Sequence, residues 1–384
     1  MNKFDRPRIA HVNFCPSMGV YKKIAGQAQA AKQLNLNMDF YILTDQPLSS
    51  AGNLKIIRFD WPKNKLRRKF ARNFQCFKII HQKADFREYD RIILRYPTAV
   101  DLSYKDFLNT YGGRFITEHH ADVIGELRVL EQGVLNPIRI HLERRNAPKI
   151  LSQSCGIIGV TDEIRRIYLD ISGGGKPSTV IPNGIAVKSV PFSGFQSFTQ
   201  DPLKLLFVSS TFYAGHGLDR LLRGLSEYRG NHTISLTLVG KIYRREEIEL
   251  LQSLNNPKVK LIRHEQLDGE ELDRVFSQAN LAVSTLALFR DGITQACPLK
   301  TREYMARGLP FIYSYEDMDL EKDLEFLLKI PANDGAVQID DLFKFVSTLS
   351  HLNDPAQKLR QYAEIKMDWS VKMEKMYDFA YSII

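Results

Sequence analysis

Cys297-Pro-Leu-Lys-Thr-Arg-Glu-Tyr-Met-Ala-Arg-Gly-Leu-Pro310, followed at once by Phe311-Ile312-Tyr313, decides how the rest of the chain is read. Pro298 suits a first helical turn and Gly308 a left-handed cap, so the stretch predicts a loop, a short helix and a strand in succession. The first N–H groups of such a helix have no partner within it and form a site for a phosphate or a sugar hydroxyl. Lys300 and Glu303 fall on its first turns, the one able to offset negative charge and the other able to grip hydroxyls, with Leu299 and Thr301 beside them.

Working outward, short apolar strands alternate with helix-like stretches such as 22–36. Strands are expected at 9–14, 39–44, 54–59, 91–96, 114–118, 156–160 and 179–181, and a second series at 204–209, 235–239, 259–262, 281–284 and 311–314. That alternation is the signature of a parallel sheet covered by helices. The polar run Ser189-Val-Pro-Phe-Ser-Gly-Phe-Gln-Ser-Phe-Thr-Gln-Asp-Pro202 separates the two series and reads as a linker. The expected architecture is α/β with two doubly wound domains, 1–190 and 191–384, and ligands at the carboxyl ends of the strands and in a cleft between the domains.

Composition allows this. The 384 residues are 44% hydrophobic and 25% charged, enough for two ordinary cores. Cys15, Cys76, Cys155 and Cys297 show neither CxxC nor His-paired spacing, which argues against a disulfide framework or a structural zinc and for a reduced cytosolic compartment. The N-terminus offers no signal-peptide core, and no run approaches the ~20 apolar residues of a spanning helix.

The net charge of +9 is unevenly divided: residues 1–190 hold 30 Lys and Arg against 17 Asp and Glu, the remainder 23 against 27. Residues 63–83 contain eight Lys and Arg and no acidic residue, with Leu66, Phe70, Phe74 and Phe77 at helical spacing and Arg68, Lys69 and Arg72 largely opposite. Two readings stand: an amphipathic helix on an anionic membrane surface, which would make the protein peripheral on the inner face, or a surface helix whose aromatics enter the core. Nucleic acid is not an expected partner.

The stretch 297–313 resembles the donor-binding element of retaining GT-B glycosyltransferases of family 4, and further matches run along the chain in that family's order. Pro16-Ser-Met-Gly-Val-Tyr-Lys-Lys resembles the family's glycine loop, with Gly19 the matching residue. Ile116-Thr-Glu-His-His120 resembles the strand end whose histidine faces the transferred sugar, His120 matching better than His119. Val180-Ile-Pro-Asn-Gly-Ile185 resembles the junction motif, its Asn183-Gly184 supplying a tight turn. Leu206–Leu222 resembles the strand, loop and helix that receive the donor pyrophosphate. Where relatives often place arginine and lysine, this chain has Ser210 and His216, so backbone N–H groups around Gly215 and Gly217 take a larger share.

Lys241 matches a strand end near the nucleotide, and Arg263 and His264 match the segment lining the base. Relatives often carry two glutamates eight residues apart; Glu303 matches the second, which grips the ribose, and Gln295 stands at the first, which touches the sugar. The tail 371–384 resembles the closing helix that returns to the N-terminal domain.

The resemblance implies a GT-B fold of two Rossmann-like domains facing a cleft, the first binding acceptor and the second donor. It implies a hexosyltransferase that moves a sugar with retention from a nucleoside-diphosphate donor to a carbohydrate or polyprenyl-linked acceptor in bacterial surface polysaccharide synthesis. No cofactor or metal is expected. The departing phosphate is stabilised by Lys300 and His216, and His120 orients the sugar.

Alternatives remain open from the residues alone. His120 can be a packing histidine, and Glu303 can pair with Arg302 or Arg307 on a solvated face. Asp317-Met-Asp319 imitates a metal-binding DxD, and Gly173-Gly-Gly-Lys176 superficially suggests a phosphate loop but lacks its spacing. A nucleotide-sugar epimerase, a phosphorylase or a non-catalytic sugar-binding subunit would use the same fold.

Overall fold

The computed structural model describes residues 6–14, 17–101, 103–129, 135–194, 196–198 and 201–384, so Pro16 of the glycine-loop stretch lies outside the described residues. The chain divides into two compact units, Met1–Pro182 with Trp369–Ile384, and Asn183–Asp368.

The first unit runs β1 (Ile9–Phe14), α1 (Met18–Gln33), β2 (Met38–Thr44), β3 (Leu54–Arg58), α2 (Lys65–Phe74), α3 (Cys76–Lys83), β4 (Arg91–Arg95), α4 (Tyr104–Tyr111), β5 (Phe115–His119), α5 (Val123–Val129), α6 (Asn136–Ser152), β6 (Gly156–Gly159), α7 (Asp162–Ile171) and β7 (Ser178–Val180). Its sheet is parallel in the order β3-β2-β1-β4-β5-β6-β7. Strands covered on both faces must be apolar almost throughout, and Ile9, Ala10, Val12, Phe40, Ile42, Leu43, Ile92, Ile93 and Leu94 are all buried. The terminal helix Trp369–Ser382 packs on α1 and supplies Trp369, Met373 and Met376 as buried side chains, while Tyr377 donates its hydroxyl to the Pro7 carbonyl at 2.9 Å. Phe379 and Ile383 lie against Gly156, where an added Cβ would meet them at 3.2 and 2.9 Å.

The second unit runs β8 (Leu203–Phe212), α8 (Leu218–Glu227), β9 (Ile234–Ile242), α9 (Arg245–Ser253), β10 (Val259–His264), α10 (Gly269–Ser277), β11 (Leu281–Val283), α11 (Leu299–Arg307), β12 (Phe311–Tyr313), β13 (Leu327–Lys329), α12 (Ile339–Leu349) and α13 (Pro355–Lys366); the terminal helix of the first unit is then α14. Its parallel sheet has the order β10-β9-β8-β11-β12-β13. The strand β13 has no counterpart in the sequence reading.

Three expectations need correcting. The first unit ends at Pro182 instead of 190, since the linker belongs to the second: the N–H groups of Ser193 and Gly194 donate to the Arg307 carbonyl, and Phe192 covers Gly308. Asn183-Gly184 is not part of a turn, and neither residue takes the positive φ of an Asn-Gly hairpin turn. Asn183 instead reaches the loop before α11, its Nδ2 donating to the Cys297 carbonyl at 3.0 Å. The stretch 63–83 is two helices broken at Gln75, whose φ of −132° and ψ of 23° leave the helical region. The glycines at 173–175 have φ of 90°, 78° and 68° and form the turn between α7 and β7, with Lys176 Nζ bonded to the carbonyls of Ser152 and Ser154.

Candidate functional site

In a parallel doubly wound sheet the strand order reverses beside the first strand, and connections leaving to opposite sides open a crevice at the carboxyl ends. In the second unit that point lies between β8 and β11. The turn leaving β8 carries His216 and Gly217; the segment leaving β11 packs on it, with Leu286 N–H donating to the His216 carbonyl and Ala287 N–H to the Gly215 carbonyl. Gly217, at φ 69°, caps α8, and an added Cβ would lie 2.9 Å from that of Leu286. Glycine is therefore required, and it leaves the start of α8 bare.

Lys300 comes to the same place from the first turn of α11. Its Nζ is sealed from solvent, has no hydrogen-bond partner and sits 5.2 Å from the centre of the Phe207 ring. Burial lowers its pKa to about 7. A buried ammonium without a partner is expensive, and a group of this kind needs a reason. Burial, together with the Lys300 charge, depresses His216 to about 2. His216 is thus neutral: Nδ1 accepts from Tyr213 N–H at 3.3 Å, which leaves Nε2 to carry the proton as a donor. It supplies an N–H and no positive charge.

The remaining residues named from the sequence divide sharply. Register sets Val208 beside Val239, Thr211 beside Lys241 and His264 beside Val239, so Ser210, Lys241 and His264 stand at the carboxyl ends of three adjacent strands. Arg263 is at the same end on an exposed position. Leu299 is 38% exposed at the start of α11. Thr301, in contrast, is in the core, donating to the Pro298 carbonyl at 2.9 Å and pairing with the Tyr315 hydroxyl at 3.0 Å, so it holds the helix and touches no open space. Gln295 is half-buried and its backbone bridges to Glu316. Beside that bridge, a pocket of about 450 Å³ opens at the ends of β12 and β13, lined by Thr294, Ser314 and Tyr315 among others.

Glu303 Oε1 accepts from Arg307 at 2.9 and 3.0 Å, the intrahelical pairing left open above; Oε2 has no hydrogen bond among the described residues. Arg302 turns inward and holds both carboxylates of the DxD look-alike: Asp317 by two N–H groups, one of them 2.9 Å away, and Asp319 at 2.8 Å, while its Nε donates to the Asn183 carbonyl. Those carboxylates brace α11. No cluster of metal-ligating side chains occurs among the described residues.

The first unit has its own crevice beside β1, where the order reverses toward β4. Glu118 lies there, 3% exposed, between His11 Nε2 at 2.8 Å and His120 Nε2 at 3.1 Å, with Lys23 Nζ at 3.9 Å. Burial would raise its pKa, but His120, Lys23 and His11 together hold the carboxyl well below its ordinary range. His120 is lowered to about 3 by burial and by Lys23, so it is a neutral ring that donates from Nε2 to Glu118. Lys23 Nζ approaches its Nδ1 at 3.3 Å and faces the Trp369 ring at 5.6 Å. His120 keeps 15% exposure.

His119 is not part of this cluster: it stacks on Tyr168 at 3.5 Å, neither ring nitrogen has a partner, and burial pushes its pKa well down. Gly19 is exposed at the start of α1, and a Cβ there would meet nothing. Sequence reasoning missed Glu118, His11 and Lys23. The available signal was His11 itself, a polar residue in a strand that is otherwise apolar except for Asn13.

Residues 202–331, all within the second unit, match the family described as group 1 glycosyl transferases. No curated protein matches the chain by sequence. Among solved structures, sucrose-phosphate synthase from Thermosynechococcus elongatus is 17% identical, with a TM-score of 0.65 over 97% of this chain and 98% of the other. The Anabaena protein HepE, solved with UDP and glucose, is 13% identical with a TM-score of 0.63, covering 98% of this chain and 100% of its own. The lipopolysaccharide outer core galactosyltransferase WaaB is 13% identical with a TM-score of 0.61 over 98% and 100%. These likenesses show the fold, which is GT-B.

Proposed function

We propose that the protein is a glycosyltransferase that takes its sugar from a nucleoside-diphosphate donor bound by the second unit. The observation that carries this reading is the sealed, partnerless ammonium of Lys300 at the switch point, set among the His216 N–H and the bare starts of α8 and α11. A diphosphate is the ligand such a place suits: it gives the ammonium its missing partner, and helix starts favour anions. Lys241 and His264 stand where the nucleoside would extend along the strand ends, and Glu303 Oε2 is free for a ribose hydroxyl.

When the sugar leaves, charge accumulates on the terminal phosphate, and Lys300 with the two sets of N–H groups stabilises it. In the first unit, His120 is neutral and its Nε2–H is committed to Glu118, so a substrate hydroxyl bonds it only by displacing Lys23 from Nδ1, and it does not act as a charged acid. Transfer with retention, with the departing phosphate taking the acceptor proton, accords with the family 4 resemblance. A saccharide or lipid-linked acceptor of a bacterial surface polysaccharide is the reading we favour, supported by the WaaB likeness.

The test is thermal denaturation of the purified protein with UDP, GDP and ADP and their sugars. A selective rise in Tm is expected, because a ligand bound only to the native state stabilises it by mass action. A Tm unmoved by every nucleotide at millimolar concentration would overturn the reading.

A further inference from the structure

Residues 63–83 form one continuous basic and aromatic ridge in sequence, but the fold treats its two halves differently. In α3 the apolar side chains are spent on the core: Cys76, Phe77 and Ile80 are 6%, 0% and 0% exposed. In α2 they are not. Leu66 is 79% and Phe70 55% exposed, with only Phe74 beneath, stacked on Phe70 at 5.0 Å. Ala71 alone of the described side chains of α2 is buried. Two large apolar residues one helical turn apart are thus held out in solvent on a helix that Asn64 caps, its Oδ1 accepting from the N–H groups of Leu66 and Arg67.

Their surroundings are cationic. Lys63, Lys65, Arg67 and Arg68 are all exposed, and no carboxylate pairs with them among the described residues. The side chains of Lys69 and Arg72 lie outside the described ones. Between Asp60 and Asp85 the sequence has no acidic residue. An ordinary solvated helix carries both signs; an apolar ridge rimmed by one sign alone fits a surface that is apolar beneath and anionic above.

We propose that α2 lies in the headgroup layer of an anionic membrane, with Leu66 and Phe70 inserted and Lys63, Lys65, Arg67 and Arg68 against lipid phosphates. The helix springs from the carboxyl end of the first sheet: after β3 the chain passes Phe59 and Trp61, which pack on Phe14 at the end of β1 with ring centres 5.6 and 6.2 Å away. Glu118 and His120 occupy the same end. Docking through α2 therefore brings that end of the first unit close to the lipid, where an acceptor on a lipid carrier would be presented. The membrane contact goes beyond the transferase reading and does not rest on it.

The test is sedimentation of the full-length protein with vesicles of phosphatidylcholine alone or with about 30 mol% phosphatidylglycerol, at about 0.1 and 0.5 M salt. Binding is expected only to the anionic vesicles and should fall about tenfold at the higher salt, as screening removes the phosphate contacts. Two variants divide the contributions: Leu66→Ser with Phe70→Ser, and Lys65→Glu with Arg67→Glu and Arg68→Glu. Each should lower partitioning at least about tenfold at unchanged Tm, since these side chains support no core. Binding to neutral vesicles as strong as to anionic ones, absence of binding to either, or variants that bind like the parent would each overturn the proposal. Nucleotide-induced stabilisation, measured separately, reports on the donor site and is indifferent to this result.

Discussion

Lys300 sits where its charge is least comfortable, and the consequence is measurable in pH. Its pKa is about 7 in the native protein against 10.5 when unfolded. Across that interval the unfolded chain holds a proton the native protein lacks, so this group makes stability rise with pH from 7 to 10.5, with the full penalty present below 7. Lys300→Met should therefore stabilise the free protein at pH 7 and below, by on the order of 2 kcal/mol, while abolishing nucleotide-induced stabilisation. A parallel fall of both would show Lys300 to be a packing residue. Glu118→Gln sets an amide N–H against the ring N–H of His11 or His120 and should cost about 1–3 kcal/mol, read as a lowered urea midpoint, together with a loss of turnover. Because His120 is neutral down to about 3, no limb of the rate profile near pH 6.5 should belong to it.

The elements show which contacts a sequence can reveal. Twelve strands were visible because buried parallel strands are written as short apolar runs, and α11 because Gly308, at φ 75°, is a cap that a sequence advertises. The break at Gln75 was not visible: the helical period continues through it, and only tertiary packing separates a buried α3 from an exposed α2. Nor could spacing distinguish Thr301, which faces the core, from Lys300 beside it. The Glu118 cluster was hidden for another reason, since His11 and Glu118 are 107 residues apart and only the strand order joins them.

One element also carries a sharp steric prediction. At the irregularity between β8 and β9, Gly240 has φ 139°, and an added Cβ would lie 1.9 Å from the Ser209 carbonyl oxygen. Gly240→Ala should destabilise the second unit by about 3 kcal/mol and dislodge Ser210 and Lys241, seen as a lowered Tm and a weakened nucleotide response.

At the scale of the molecule, each unit has its own apolar core, but only the second is continuous in sequence. The first needs α14, which covers α1 and presents Phe379 and Ile383 to Gly156. Removing residues 369–384 should therefore unfold or loosen the first unit while residues 183–368 keep their cooperative transition, a difference that hydrogen exchange would resolve by segment. Loss of protection throughout both units would contradict that independence.

The same arrangement orders events on the ribosome. Residues 183–368 can finish folding as soon as they emerge, whereas the earlier-made 1–182 must wait, with the α1 face uncovered, for a helix translated after the whole of the second unit. A chaperone that shields nascent apolar surface would then engage the first unit for longer than the second, although the first is made earlier.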